Sequence, residues 1–298
     1  MNVIACSNLT KTYGKAKALN SLSFTIEENT ITGLIGRNGA GKTTLLKTIA
    51  GQLKQTSGDI HVFGQKPFNN LTVSANMIFV HDQMTLPDSL TLADLLQASK
   101  SFYKNWDAGL AERLFNYFNF DSTSTYSRLS KGMKSTFTMI IGLAARCPLT
   151  IFDEPTTGMD AAVRKDFYRA LLKDYISHPR TMIISSHLLE EIEDLLEDIL
   201  LIDNGQKLLH LPMIDLKDYA VALSGDQAAV TRFTDGKELF HQHKIGDNHT
   251  YTVLRNTFSE KEMQAARSAG IEMSRVSSDD LCIYLTGGTQ GGIDDVFN

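Results

Sequence analysis

Residues 36–44 read Gly36-Arg37-Asn38-Gly39-Ala40-Gly41-Lys42-Thr43-Thr44. This is a complete phosphate-cradling loop, and it ties the chain to one local architecture. "TITGLIG" before it is the short apolar run of a buried strand, and "KTTLLKTIAG" after it has the apolar spacing of a helix. The glycines let the backbone fold tightly and turn successive N–H groups toward one point. The following helix aims its N-terminal dipole at the same point, where an anion is stabilised. Lys42 adds a full charge for the β- and γ-phosphates of a nucleotide. Thr43 adds a hydroxyl for Mg²⁺, which prefers hard oxygen ligands. Gly36, Asn38, Gly39, Ala40, Gly41 and Thr44 complete the nucleotide-binding stretch.

A chain of 298 residues allows one large domain or two ordinary ones. With 42% hydrophobic and 21% charged residues it has the material for a sizeable core. A net charge of −5 argues against a broad nucleic-acid footprint, which needs a basic surface. The start, "MNVIACSNLTKTYG", lacks the pattern of a secretory signal, and no apolar stretch approaches the roughly 20 residues of a membrane span. A cytoplasmic location follows, peripheral on the inner face of the membrane if the partner is a membrane protein. Cys6, Cys147 and Cys282 have no metal-ligand spacing and are expected to be reduced, buried thiols.

The stretch before the loop alternates apolar and polar residues and reads as several β-strands. "GDIHVFG" and "ANMIFVHDQ" are further strands. From Ser89 to Phe120 apolar residues recur at helical spacing, and "LSKGMKSTFTMIIGLAARCP" predicts a buried helix with Ser130 as its N-cap and Pro148 just past its end. "LTIFDEP" and "TMIISSH" are parallel core strands separated by the amphipathic helix "DAAVRKDFYRALLKDYI". This alternation predicts an α/β sheet flanked by helices. Beyond Pro212 the character changes. "YAVALSG", "DQAAVTRFT", "KELFHQHKIGDNHTYTVLR", "SEKEMQAARSAG" and "DDLCIYLTGG" read as strand, helix, strands, helix, strand. They would form a small α/β domain over 213–298, ending in a mobile Gly-rich tail.

Two further motifs carry chemistry. Asp153 and Glu154 end the apolar strand "LTIFDE". Asp153 would hold Mg²⁺ through water, and Glu154, one residue past the strand, could polarise an attacking water. "LSKGM" places Ser130 and Gly132 at a helix start, a second anion site in the same chain. Two such sites are needed on one nucleotide only if two chains face each other.

With these motifs, the region over 1–212 resembles the ATP-binding cassette (ABC) family of transporter ATPases. The resemblance implies a P-loop cassette with a mixed sheet core and a helical insertion over about 89–146. It implies ATP and Mg²⁺ as ligands, and a site capped by the signature motif of a second ATPase chain, identical or sister. Where the family signature usually has a glycine this chain has Lys131, as in a branch of ABC exporters. In the family pattern Tyr13 is the aromatic that stacks on adenine. Gln83, or alternatively Asp82, is the loop residue that senses Mg²⁺ and contacts the transporter. Asp160, in Gly158-Met159-Asp160, lies in the loop crossing the dimer interface, and His187 is the switch histidine that bonds the γ-phosphate. Residues 89–128 are where an integral-membrane permease docks. The Asn105-Trp106-Asp107 element, "LSKGMK" and "SSHLLEEIEDL" are similar to Gram-positive exporter ATPases, especially those of staphylococcal phenol-soluble-modulin and peptide-antibiotic exporters.

Competing classes fit less well. Ribosome-associated relatives carry two cassettes in one chain, and DNA-repair relatives insert a coiled coil or zinc-ligand cysteines. Neither pattern occurs here, and no nucleic-acid partner is expected. No Asn-Lys-x-Asp guanine-reading motif occurs either. If Tyr13 reads adenine by its π-face, Tyr13→Ala should weaken ATP binding while Tyr13→Phe is tolerated, and GTP should still be hydrolysed, less well. Side-by-side nucleotide titrations and turnover assays check this.

Overall fold

The computed structural model describes residues 1–287, and the Gly-rich tail expected to be mobile lies, beyond Gly287, outside the described residues. The chain divides into two compact units. The first is Met1–His187 with Asp194–His210; the second is Leu188–Glu193 with the chain from Leu211 on.

The first unit begins with two long strands, β1 (Asn2–Tyr13) and β2 (Ala16–Glu27), then β3 (Ile31–Ile35), α1 (Lys42–Ile49) and β4 (Ser57–Val62). A short α2 (Leu71–Ala75) leads to β5 (Met77–His81), and then come α3 (Leu92–Phe102), α4 (Ala108–Tyr117) and α5 (Lys131–Ala144). β6 (Leu149–Asp153), α6 (Ala161–Ser177), β7 (Thr181–Ser186), β8 (Asp198–Asp203) and β9 (Gln206–Pro212) follow. β2, β1 and β4 form an antiparallel three-stranded sheet. The second sheet has the order β5-β6-β7-β3-β8-β9, with parallel pairing from β5 through to β8. Helix α1 lies in the core between them, with Leu45 and Leu46 buried among Leu9, Leu22, Ile60, Ile151 and Leu200.

Local chemistry explains where these elements start. β6 and β7 are buried at every position, as strands covered on both faces must be. Helix α3 begins with a capping box: Thr91 Oγ1 accepts from Asp94 N–H and the Asp94 carboxylate accepts from Thr91 N–H. Ser130 caps α5, which is buried from Ser135 to Ala144. Phe137 on α5 sits 5.6 Å and 6.4 Å, ring to ring, from Phe120 and Phe115, and this cluster is the core of the helical insertion. All three cysteines are buried, and burial pushes their thiols up to about 12.

After α7 (Met213–Lys217), the second unit contains β10 (Ala220–Asp226), α8 (Gln227–Thr234), β11 (Leu239–Ile245), β12 (His249–Arg255), α9 (Glu260–Ser268), β13 (Glu272–Arg275) and α10 (Ser278–Leu285). Its antiparallel sheet has the order β11-β12-β10-β13, over a core that includes Leu223, Val230, Leu254 and Ile271. One expectation is corrected: "DDLCIYL" is helix α10, not a strand, and β13 precedes it. Ser277 caps that helix by accepting from Asp280 N–H, Asp279 and Asp280 occupy its first turn, and Leu281 and Cys282 are its buried face.

A buried ion network ties α4, α5, α6 and β7. Arg146 Nη2 lies 2.9 Å from both Asp107 and Asp174, and Arg180 Nη2 lies 2.8 Å from Asp174. The side chains of Asp174 and Arg180 are each 4% exposed. Breaking such a pair by removing one partner costs about 3–5 kcal/mol, because the other charge is left buried. Asp174→Ala should therefore lower the urea midpoint of the first unit by that equivalent, whereas Asp166→Ala, at a half-buried position of α6 where only the Tyr117 hydroxyl bond and a long contact to Arg169 are lost, should change it far less.

Candidate active site

Parallel register brings the chemistry together. Ile35, the last residue of β3, pairs with Ser186 of β7; Asp153, the last residue of β6, pairs with Ser185 of β7 and His81 of β5. The loop after β3, Glu154 after β6 and His187 after β7 thus leave the sheet at one level. This is the carboxyl-terminal edge, where open α/β sheets bind ligands.

The loop 36–41 turns into α1 through Gly41, whose φ is 107° and where a Cβ would lie 2.5 Å from the carbonyl oxygen of Ala18. A cleft of about 220 Å³ opens over it, lined among others by Asn38, Gly39, Lys42, Thr43, Thr44 and Glu154. Gly36 and Ala40 are scaffold in this loop: Gly36 O accepts from Lys42 Nζ at 2.6 Å, and Ala40 is buried with its carbonyl accepting from Gly205 N–H. Lys42 is itself buried and faces Glu154 Oε1 at 3.2 Å.

Asp153 is held through both oxygens. Thr43 Oγ1 donates to Oδ2 at 2.7 Å and Ser185 Oγ donates to Oδ1 at 2.5 Å. The Ser185 hydroxyl in turn accepts from Glu154 N–H at 2.9 Å, so one serine fixes both acidic residues. Glu154 has φ 48°, a conformation that costs a non-glycine residue of order 1–3 kcal/mol. The turn is secured by Ser185 and by Thr157 Oγ1, which donates to Glu154 O at 2.9 Å. The Glu154 carboxylate then stands between two cations or donors: Lys42 on Oε1, and His187 Nδ1 at 2.8 Å from Oε2.

This arrangement fits the expected ligands. Glu154 Oε1 is ion-paired with Lys42 but makes no hydrogen bond, so it keeps acceptor capacity that a water or phosphate-bound group would use. Thr43 and Asp153 place two hard oxygens side by side and are the residues that would hold Mg²⁺. Among the described residues no group of three or more His, Cys, Asp or Glu could hold a metal alone.

Other expected residues stand apart from the cleft. Tyr13 is half-exposed at the end of β1, opposite Ala16 of the strand whose Ala18 lines the cleft, with Lys11 Nζ 5.2 Å from its ring centre. Gln83 is exposed just after β5, while Asp82 shares a small cleft with Lys131 and Glu154. Ser130 and Gly132 do not line the phosphate cleft of their own chain. Gly132 instead packs on the turn after β6, where a Cβ would lie 2.3 Å from Gly158 O. Asp160 caps α6, accepting from Ala162 and Val163 N–H. Asp107 caps α4 and pairs with Arg146, and Trp106 stacks on Tyr103.

Two residues were missed in the sequence. Ser185 orients both acids, and its only signal is a pair of serines ending an otherwise apolar core strand. His81 lies beside Asp153 in register, and burial, aided by the Lys47 ammonium, pulls its imidazole below the usual value. A larger cavity of about 740 Å³, near Asn29, Pro148 and Thr181, lies at the opposite edge of the sheet and holds none of this constellation.

Residues 19–157 match the family described as ABC transporter. The ABC transporter ATP-binding protein YtrB of Bacillus subtilis (strain 168) is 31% identical over 72% of this chain and 74% of its own length. The bacitracin transport ATP-binding protein BcrA of Bacillus licheniformis is 26% identical over 96% of this chain and 98% of its own. The SkfA peptide export ATP-binding protein SkfE of B. subtilis (strain 168) is 28% identical over 72% of this chain and 92% of its own. The solved ATP-binding subunit of an ABC transporter superposes with TM-score 0.65 at 23% identity, covering 72% of this chain and 92% of that one. A bacterial ABC transporter cassette solved as a dimer, MJ0796, gives TM-score 0.61 at 20% identity, covering 70% and 98%. At these identities the solved structures establish the fold.

No helix among the described residues is long and apolar enough to cross a membrane. If Lys42 meets a nucleotide phosphate as expected, replacing it by Ala removes a charge-assisted contact worth roughly 1.5–3 kcal/mol. Titration with a fluorescent ATP analogue should show affinity falling by about tenfold or more.

Proposed function

Since the chain belongs to the ABC transporter ATP-binding family, we propose that it powers the export of amphipathic or antimicrobial peptides through a separate integral-membrane permease. It is an ATPase. The observation that carries the hydrolytic reading is the clamp on Glu154, with Lys42 on one carboxylate oxygen and His187 on the other. The peptide class rests on the likeness to the bacitracin transport and SkfA peptide export proteins; the former extends over both units of this chain. Staphylococcal phenol-soluble-modulin exporters, which the motifs resemble, fall in the same chemical class. A location on the inner face of the cell membrane follows from this reading.

In this mechanism the loop N–H groups and Lys42 take the β- and γ-phosphates of ATP, and Tyr13 stacks on adenine. Thr43 and Asp153 would hold Mg²⁺, and Gln83 would sense it; the ion supplies neutralisation of the phosphate charge when bound. Glu154 orients and polarises a water in line with the terminal phosphate, and His187 bonds the γ-phosphate while steadying Glu154. Ser185 keeps Asp153 and Glu154 in fixed relation throughout. Ser130 and Gly132 would act on the nucleotide of a second ATPase chain, identical or sister, with Asp160 in the loop that crosses between them. Closure of the two chains would pass to the permease through the helical insertion.

Glu154→Gln keeps shape but removes the basic carboxylate, so turnover should fall by roughly 10²-fold or more while ATP stays bound. Gel filtration with ATP should show a dimer accumulating. Lys42→Ala chains mixed with Ser130→Arg chains would leave one intact shared site. One firmly held ATP per purified mixed pair supports the shared arrangement; two equivalent ATP molecules, or a fully active monomer at high dilution, overturn it.

A further inference from the structure

The residues that follow His187, Leu188–Glu193, belong to the second compact unit. Within that unit the start of α10 grips them at both ends. Asp279 Oδ1 accepts from Leu189 N–H at 2.6 Å and from Glu190 N–H at 3.2 Å. Ser278 Oγ donates to Glu193 Oε2 at 2.5 Å. Leu189 and Ile192 of the same turn are 0% and 1% exposed, so the turn is anchored by packing as well. Hydrogen bonds from N–H to a carboxylate are about twice as strong as neutral ones, and two on one oxygen fix the direction of the backbone.

The His187 side chain is 48% exposed, so little packing sets its ring. Its orientation depends on the bond to Glu154 and on how its backbone is held. We infer that Asp279 is a positioning residue for His187: by clamping the Leu189 and Glu190 amides it sets the path of the chain leaving His187, and with it the reach of the imidazole to Glu154. Asp279 thereby acquires a role in hydrolysis. The inference rests on the reading above that His187 and Glu154 act together on ATP.

The test uses the full chain and compares ATPase kcat with ATP affinity. His187→Ala comes first; an unchanged kcat there overturns the reading of His187 itself, and this inference with it. If His187→Ala is slow, Asp279→Ala should lower kcat by about tenfold, the scale expected when a catalytic group is misplaced, with ATP affinity within about twofold of the parent. Asp279→Asn keeps a side-chain oxygen acceptor and should recover most of the rate. Asp280→Ala removes a first-turn carboxylate from the same helix without touching Leu189, and should leave kcat unchanged. In the His187→Ala background, Asp279→Ala should cost nothing further. A normal kcat in Asp279→Ala, or a loss of the same size with and without His187, overturns the positioning role while leaving that of His187 intact. Should Asp279→Ala unfold the second unit by hydrogen exchange, Ser278→Ala is read in its place, with the same two outcomes.

Discussion

The site depends on a single constraint, the in-register parallel pairing of β3, β6 and β7. Ile35, Asp153 and Ser185–Ser186 end their strands at one level, and three separate loops then carry Lys42, Glu154 and His187 to one point. A slip of one residue in β6 would turn the Asp153 side chain to the other face and undo both of its hydrogen bonds. Because both faces of β6 and β7 are buried, a slip would exchange one packed face for the other, and it is close-packed side-chain fit that resists it.

Ser185 shows how closely support and chemistry are linked. Its one hydroxyl donates to Asp153 and accepts from the Glu154 amide, so the acid proposed to hold the metal and the acid proposed to polarise water share a hinge. The left-handed backbone of Glu154 is the cost of turning the chain there, and the surrounding bonds offset it. Gly132 adds a second link: the start of α5 rests against Gly158 with no room for a side chain, so the start of that helix is packed directly on the turn after Glu154.

Much of this was legible in the sequence because it is written locally. The P-loop is a contiguous word, Ser130 is a cap residue at the position where a helix begins, and the apolar runs of β6 and β7 announce burial. What escaped is non-local. Nothing near Ser185 or His81 says that Asp153 is their neighbour; only strand pairing does. The reading of "DDLCIYL" as a strand failed for another reason. Short apolar runs suit either period, and the cap by Ser277 with two acids behind it decided for a helix. The contact of Asp279 with the turn after His187 spans 90 residues of chain, beyond any local pattern.

The salt bridge between Lys42 and Glu154 holds two opposite charges of the cleft 3.2 Å apart. If Lys42 takes the γ-phosphate and Glu154 faces water, as proposed above, nucleotide entry would be an exchange of counter-ions: the arriving phosphate would take over the lysine and free the carboxylate in the same event. A nucleotide lacking the terminal phosphate would then leave the carboxylate engaged with its cation.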